Sequence, residues 1–203
     1  MLSNPETKLE LLAHGTSVPV DIRWDSAPDA AEGSDVCIDL LFESEPERLE
    51  KLIRSRVSLV IVNHVIGNIS LPGHFVRINA WPGFLGRVIV EAFHDDPAIR
   101  SRTESVFTSF NRSVSWTPDQ PGFISSRVIS MIINEAYFAL EEKVSTKNEI
   151  DIAMKLGTNY PFGPFEWSER IGIKKVYSLL SELSQIDSKY EPAALLKQEA
   201  TVS

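Results

Sequence analysis

A chain of 203 residues, 43% hydrophobic and 24% charged, can bury one large core or two small ones. Its net charge of −8 argues against a nucleic-acid backbone as the main partner, because phosphate binding requires a basic surface. No uncharged apolar run of about 18 residues is present to cross a membrane, the single cysteine Cys37 excludes an internal disulfide, and no Cys/His cluster has zinc-ligand spacing.

The opening MLSNPETKLE has neither a basic nor an apolar leader segment, so the cytoplasm is the expected compartment. The first seventeen residues carry little pattern beyond KLELLAHG, a candidate strand or helical turn. VPVDIRW, residues 18–24, alternates Val18, Val20 and Ile22 with polar or small neighbours and predicts a strand, followed by a loop. DVCIDLLF, residues 35–42, is a nearly continuous apolar run suited to a strand covered on both faces, with Cys37 as a buried, inert thiol. Ser44 as cap, Pro46 in the first turn, acids early and bases late predict a short helix to about Ser55. VSLVIVN, residues 57–63, completes a βαβ unit.

Two further strands are expected at 74–81 and 86–93, joined by a turn-rich PGFL as an antiparallel pair or sheet extension. A helix follows from Asp95 or Asp96 with Pro97 at its first position, then a short strand SVSW. From Pro121 the pattern is helical: a long helix from Phe123 to Val144, a second from Thr146 or Asn148, two more in GPFEWSERIG and KKVYSLLSELSQI, and a polar tail from Asp187 interrupted by PAALL. The fold class is therefore an α/β domain over 1–117 with a shortened Rossmann-like sheet, and an all-α domain over 118–203. Apolar residues cover so much of the long helix that it should bury several faces or a subunit interface, with Ile132 read as core. Ser126, Ser130 and Asn134 form one polar line on it, either tolerated at close helix packing or facing a ligand.

PGFISSR, NEAYFALEE, EIDIAMKLG and YPFGPFE, in this order and spacing, resemble the C-terminal domain of the L-3-hydroxyacyl-CoA dehydrogenase family over residues 113–197, with weaker similarity through 57–112. The resemblance implies an NAD-dependent enzyme of fatty-acid metabolism acting on acyl-CoA or a small 3-hydroxy acid, and a homodimer through the 122–144 helix. Its catalytic core is a His base oriented by a Glu, with a Ser and an Asn holding the substrate oxygen. Carried over by position, Glu91 keeps the orienting Glu, Asn79 stands for the His, Ser126 for the Asn and Val65 for the Ser. An amide cannot accept the hydroxyl proton. Nor is there a G-x-G-x-x-G: among ten glycines no two are separated by a single residue, so conventional NAD binding is not expected.

By alternation Glu91 shares a face with Ile89 and Phe93, an apolar setting, and Arg77 or Asn79 of the preceding strand could partner it. A plain structural pair, an edge strand exposing Glu91 to water and a catalytic carboxylate are the three readings of this position. His64, beside the Val65 position, reads as polar surface, and His14, His74 and His94 lie at loops or strand ends. Phe165 and Trp167 are either core or the lining of an acyl pocket. Two functions follow: a catalytically degenerate family member binding an acyl-CoA-type ligand or a partner, or a diverged oxidoreductase using Glu91 and His64, with another chain completing the cofactor half.

Overall fold

The computed structural model describes residues 1–43, 45–67 and 69–202, and its internal contacts divide the chain into two compact units, Met1–Phe123 and Ile124–Ser203. The first unit is built on a five-stranded sheet in the order β1 (Cys37–Asp39), β2 (Val60–Asn63), β3 (Phe75–Ile78), β4 (Ile89–Phe93) and β5 (Ser113–Trp116). β1, β2 and β3 run parallel, β4 is antiparallel to β3, and β5 is parallel to β4. The run Val60-Ile61-Val62 is fully buried, as a central strand with both faces covered must be. On one face Ile38, Leu40, Ile61, Val76, Ile78, Val90 and Ala92 pack with Leu11 of α1 (Pro5–Leu12) and Phe107 of α3 (Pro97–Ser109). On the other, Cys37, Val60, Val62 and Phe75 pack with Leu52 of α2 (Pro46–Arg54).

Several expectations are corrected. VPVDIRW forms no strand, although Ser17 N–H donates to Ser109 at one end and Asp25 N–H to Met1 at the other. Alternation alone cannot make a strand without a ladder partner, and the place beside β1 is taken by Leu2, which bridges in parallel to both Asp39 and Asp25. The strand expected over 35–42 is reduced to Cys37–Asp39, because the Asp39 carboxylate turns the chain by accepting Leu41 N–H at 3.0 Å. Residues 5–12 are helix, started by an Asn4 cap with Pro5 at its first position. Ser44 lies outside the described residues, and Glu45 occupies the cap of α2 without a side-chain bond. α3 starts as expected, with Asp96 capping Ala98 N–H at 2.7 Å.

The second unit is helical: α4 (Ser125–Glu141), α5 (Lys147–Thr158), α6 (Pro164–Ile171), α7 (Ile173–Ser184) and α8 (Ala194–Val202). α4 starts two residues later than expected, after Gly122 and Phe123 both adopt positive φ, and ends at Glu141 rather than Val144. Its inward side is Ile129, Ile133, Ala136 and Tyr137, while Ile132 is only half-buried, so Ile133 is the core position. Thr146 caps α5 in a reciprocal box with Glu149. The tail is not merely polar, since α8 buries Leu196 and Ala200, with Ala193 just ahead of it. Asn134 pins this segment, accepting Ala193 N–H and donating to the Glu191 carbonyl, both at 2.9 Å. No described helix is long and apolar enough to cross a membrane.

Candidate functional site

β3 and β4 bring Asn79 and Glu91 together. Register pairs Arg77 with Phe93 and Ile78 with Ala92, so the next rung sets Asn79 N–H on the Glu91 carbonyl at 3.0 Å. Their side chains meet as well: Asn79 Nδ2 donates to Glu91 Oε2 at 3.0 Å, while Asn79 Oδ1 accepts Trp81 N–H at 3.4 Å. Asn79 is buried and Glu91 half-buried. The apolar setting expected for Glu91 is not found, because Ile89 on the same face is 55% exposed and the buried face of β4 is Val90 and Ala92.

Arg77 is bound elsewhere. Its guanidinium pairs with Asp119, donates from Nε to the His64 carbonyl at 3.2 Å and lies 5.5 Å from the centre of the Phe123 ring. It thus ties β3 to the loop that ends this unit, while Gly122 N–H donates to the carbonyl of buried Val65 at 2.8 Å. An open cleft of about 630 Å³ lies beside it, with Phe75, Phe93, His94 and Asp119 in its wall. His64 is not polar surface but 2% exposed, edge-on to Phe42 at 5.8 Å. Burial, and then the Arg77 charge, push its pKa down to about 4. Burial likewise pushes the Cys37 thiol up to about 12, in keeping with an inert thiol.

Ser126 belongs to the helical unit. Its hydroxyl and that of Ser130 are fully buried and have no hydrogen-bond partner among the described residues, in contrast to Asn134 one turn further on. The same unit holds a group that the sequence reading missed. Lys147 Nζ bonds both carboxylate oxygens of Glu199 at 2.7 Å, Tyr137 OH donates to Glu199 Oε2 at 2.7 Å, and Lys147 lies 5.3 Å from the centres of the Tyr137 and Phe165 rings. Burial raises the Glu199 pKa, but the bonds from Lys147 and Tyr137 outweigh it and hold it below the ordinary carboxylate value. These residues line a cleft of about 310 Å³ with Ser168 and Ile173. Phe165 lines the cleft and Trp167 packs edge-on to Phe162, both buried. No cluster of His, Cys, Asp and Glu able to hold a metal ion occurs among the described residues.

Residues 122–201 match the C-terminal domain of 3-hydroxyacyl-CoA dehydrogenase. The helical unit thus carries a C-terminal domain of the 3-hydroxyacyl-CoA dehydrogenase type. It is 34% identical over 127 residues to the 3-hydroxyadipyl-CoA dehydrogenase of Escherichia coli, covering 62% of this chain and 26% of that protein. To the 3-hydroxybutyryl-CoA dehydrogenase of Bradyrhizobium diazoefficiens it is 30% identical over 152 residues, 72% of this chain and 52% of that enzyme. The chain thus spans about a quarter to about half of these dehydrogenases. The crystal structure of the (S)-3-hydroxybutyryl-CoA dehydrogenase of Ralstonia eutropha shares the fold, with a TM-score of 0.72 at 22% identity over 89% of this chain and 70% of that one. The five-stranded mixed sheet followed by helices is the arrangement expected from the sequence.

Proposed function

We propose that this 3-hydroxyacyl-CoA dehydrogenase relative binds an acyl-CoA-type ligand without oxidising it, using residues 118–203 as the ligand-holding and dimerising domain. The observation that carries the reading is the Asn79–Glu91 pair. At the position of the family's base stands a carboxamide whose Nδ2 donates to the carboxylate. A neutral amide takes no proton at physiological pH, and Glu91 orients a group that cannot act as a base. Ser126 and Val65 at the other two positions support the same reading: Ser126 lacks the carboxamide of the family's Asn, and Val65 lacks the hydroxyl of its Ser. Binding is a separate matter, since ligand contact and proton transfer use different groups. The relatives are named for CoA thioesters, which makes that class the first to test.

Dimerisation is part of the proposal. Ile124 at the cap of α4, Val128 and Phe138 on it, and Ile152 and Leu156 on α5 are each 36–83% exposed. Positions 124, 128, 131, 135 and 138 share one side of α4 at helical spacing, interrupted only by Glu135. Sedimentation at micromolar concentration is expected to give a dimer, and a clean monomer would remove this part.

The test of function is a titration of the purified protein with acetoacetyl-CoA, run beside NADH oxidation in the wild type and in Asn79→His. Saturable thioester binding with no turnover in the wild type is the expected result. Thioester-dependent NADH oxidation by the wild type that vanishes in Glu91→Gln would instead establish the diverged oxidoreductase, with Glu91 as the working base.

A further inference from the structure

The edge of the sheet holds more than its named strands. Leu2 sits between β1 and Asp25 and bridges to both in parallel. Leu2 N–H donates to Ile38 and Leu40 N–H to Leu2, each at 2.8 Å. Asp25 N–H donates to Met1 and Ser3 N–H to Asp25, each at 3.0 Å. Read across the edge, the order is Asp25, Leu2, β1, β2, β3. Read along the chain, Leu2 leads through α1 to Asp25 on one side, whereas β1 leads through α2 to β2 on the other. α1 packs on the face of Ile38 and Leu40, α2 on the face of Cys37. That is a doubly wound order, with its reversal between Leu2 and β1, and in such sheets the crevice at the carboxyl ends of the two strands beside the reversal is where a nucleotide binds.

A dinucleotide needs three things at that crevice: glycines that let the pyrophosphate approach the backbone, N–H groups at a helix start, and an acid about 20 residues on for the ribose. The turn here is Ser3-Asn4-Pro5-Glu6, with no glycine before Gly15. Pro5 has no N–H, and Asn4 Oδ1 already accepts Thr7 N–H at 2.9 Å while Thr7 Oγ1 accepts Asn4 N–H at 3.2 Å. Glu6 adds a negative charge to the first turn, where a phosphate would need a positive field. The acid, Asp25, turns its Oδ1 onto the N–H groups of Ser26 and Ala27 at 2.7 and 2.9 Å. Arg48 grips buried Asp39 with two bonds and reaches the Ser26 carbonyl at 3.3 Å.

We infer that residues Leu2–Asp25 are a compressed mononucleotide-binding βαβ unit whose phosphate turn is filled by its own side chains, so that the switch point of this sheet takes no dinucleotide. NAD, which the family implies, does not fit the residues present there. The same reading explains why a chain without the glycine fingerprint keeps the sheet order of a nucleotide fold. The Asn4–Thr7 box supplies to the α1 N-terminus the hydrogen bonds that a phosphate would otherwise supply.

Hydrogen–deuterium exchange of the full chain with and without millimolar NADH, and separately with acetoacetyl-CoA, tests this directly. NADH is expected to add no protection at residues 2–7 or 38–43. Asn4→Ala should lower Tm by a few degrees, to the same extent with and without NADH. Glu6→Gln keeps the cap and is the second variant. It should behave like the wild type towards NADH, because Asn4 and Pro5 still close the turn. NADH-dependent protection of residues 3–7 in either the wild type or Glu6→Gln would overturn the inference. The thioester arm keeps the two proposals apart: loss of acetoacetyl-CoA binding would sink the proposed function and leave the closed turn standing.

Discussion

The two units spend their buried polar groups differently. In the helical unit they meet backbone groups at helix ends: Asp151 accepts the N–H groups of Phe165 and Glu166 at the start of α6 at 2.8 and 3.2 Å, and Asn134 accepts Ala193 N–H ahead of α8 at 2.9 Å. In the sheet unit they join segments far apart in sequence. Glu10 accepts Gly83 N–H at 2.7 Å and Gly86 N–H at 3.2 Å, and Arg112 donates to the carbonyls of Leu11 and Arg87 at 2.8 and 2.6 Å. A helix end exposes a fixed set of unsatisfied groups that a nearby side chain can meet, whereas a sheet of short strands must be fastened by whatever crosses its edges. The family match falls on the helical unit, at residues 122–201.

Breaking the helical unit at its tightest point should have the largest effect. Gly163 does not need its backbone freedom, since its φ is −73°. It is small because Asp151 is against it: a Cβ there would lie 2.3 Å from Asp151 Oδ1 and 2.4 Å from Asp151 Cβ and Cγ. Gly163→Ala must push Asp151 off the start of α6, adding overpacking to the loss of two capping bonds, and should destabilise by about 3 kcal/mol or more in urea denaturation. A loss below about 1 kcal/mol would show that Asp151 can swing aside, and that local capping is less rigid than the comparison holds.

The matching break in the sheet unit is Glu10→Ala, which leaves the amides of Gly83 and Gly86 without their carboxylate. Two charge-assisted bonds to a half-buried group put the expected loss at about 2 kcal/mol. The exchange of amides 81–88 should rise with it, because this loop connects Asn79 to Glu91. Unchanged exchange there would mean that the loop is held by its own turns and that α1 is only an addition to the sheet.

What could be read from the sequence follows the same division. Pro97 after Asp96, Thr146 before Glu149 and Pro164 before Glu166 announced three helix starts, because caps lie within three or four residues of what they cap. Two strands and a short turn offered Glu91 either Arg77 or Asn79 as partner, and the structure gives it Asn79. Leu2 and Asp25 could not be seen, since a rung one residue long has no periodicity. Residues 18–24 had the periodicity and no partner. Arg77 chose Asp119, 42 residues on, over the neighbouring strand, a choice that depends on where the loop before Gly122 folds back. α8 escaped notice because few of its side chains turn inward, and its pins come from Asn134, Glu141 and Lys147, all far upstream.

The last effect is conditional on pH and tests whether the sheet unit's interior is as closed as its fastenings suggest. His64 is held between Phe42 and Arg77, with Gly67 bonding to its ring, and its pKa is lowered from 6.5 to about 4 by burial and by the Arg77 charge. The folded state therefore resists protonation that the unfolded chain accepts at about 6.5. Above that pH the group costs nothing. As pH falls, the unfolded state takes up the proton first, so stability is lost progressively from about pH 6.5 and the loss is complete near pH 4. Between pH 7 and pH 5 it should amount to about 2 kcal/mol. Denaturation of the wild type and of His64→Gln at both pH values isolates this term, because the carboxylates and the other three histidines contribute to each protein alike. The variant is expected to lose about 2 kcal/mol less than the wild type over the interval. Equal losses would mean that His64 is protonated in the folded chain at pH 5, and that water or a rearranged Arg77–Asp119 pair reaches the carboxyl end of β2.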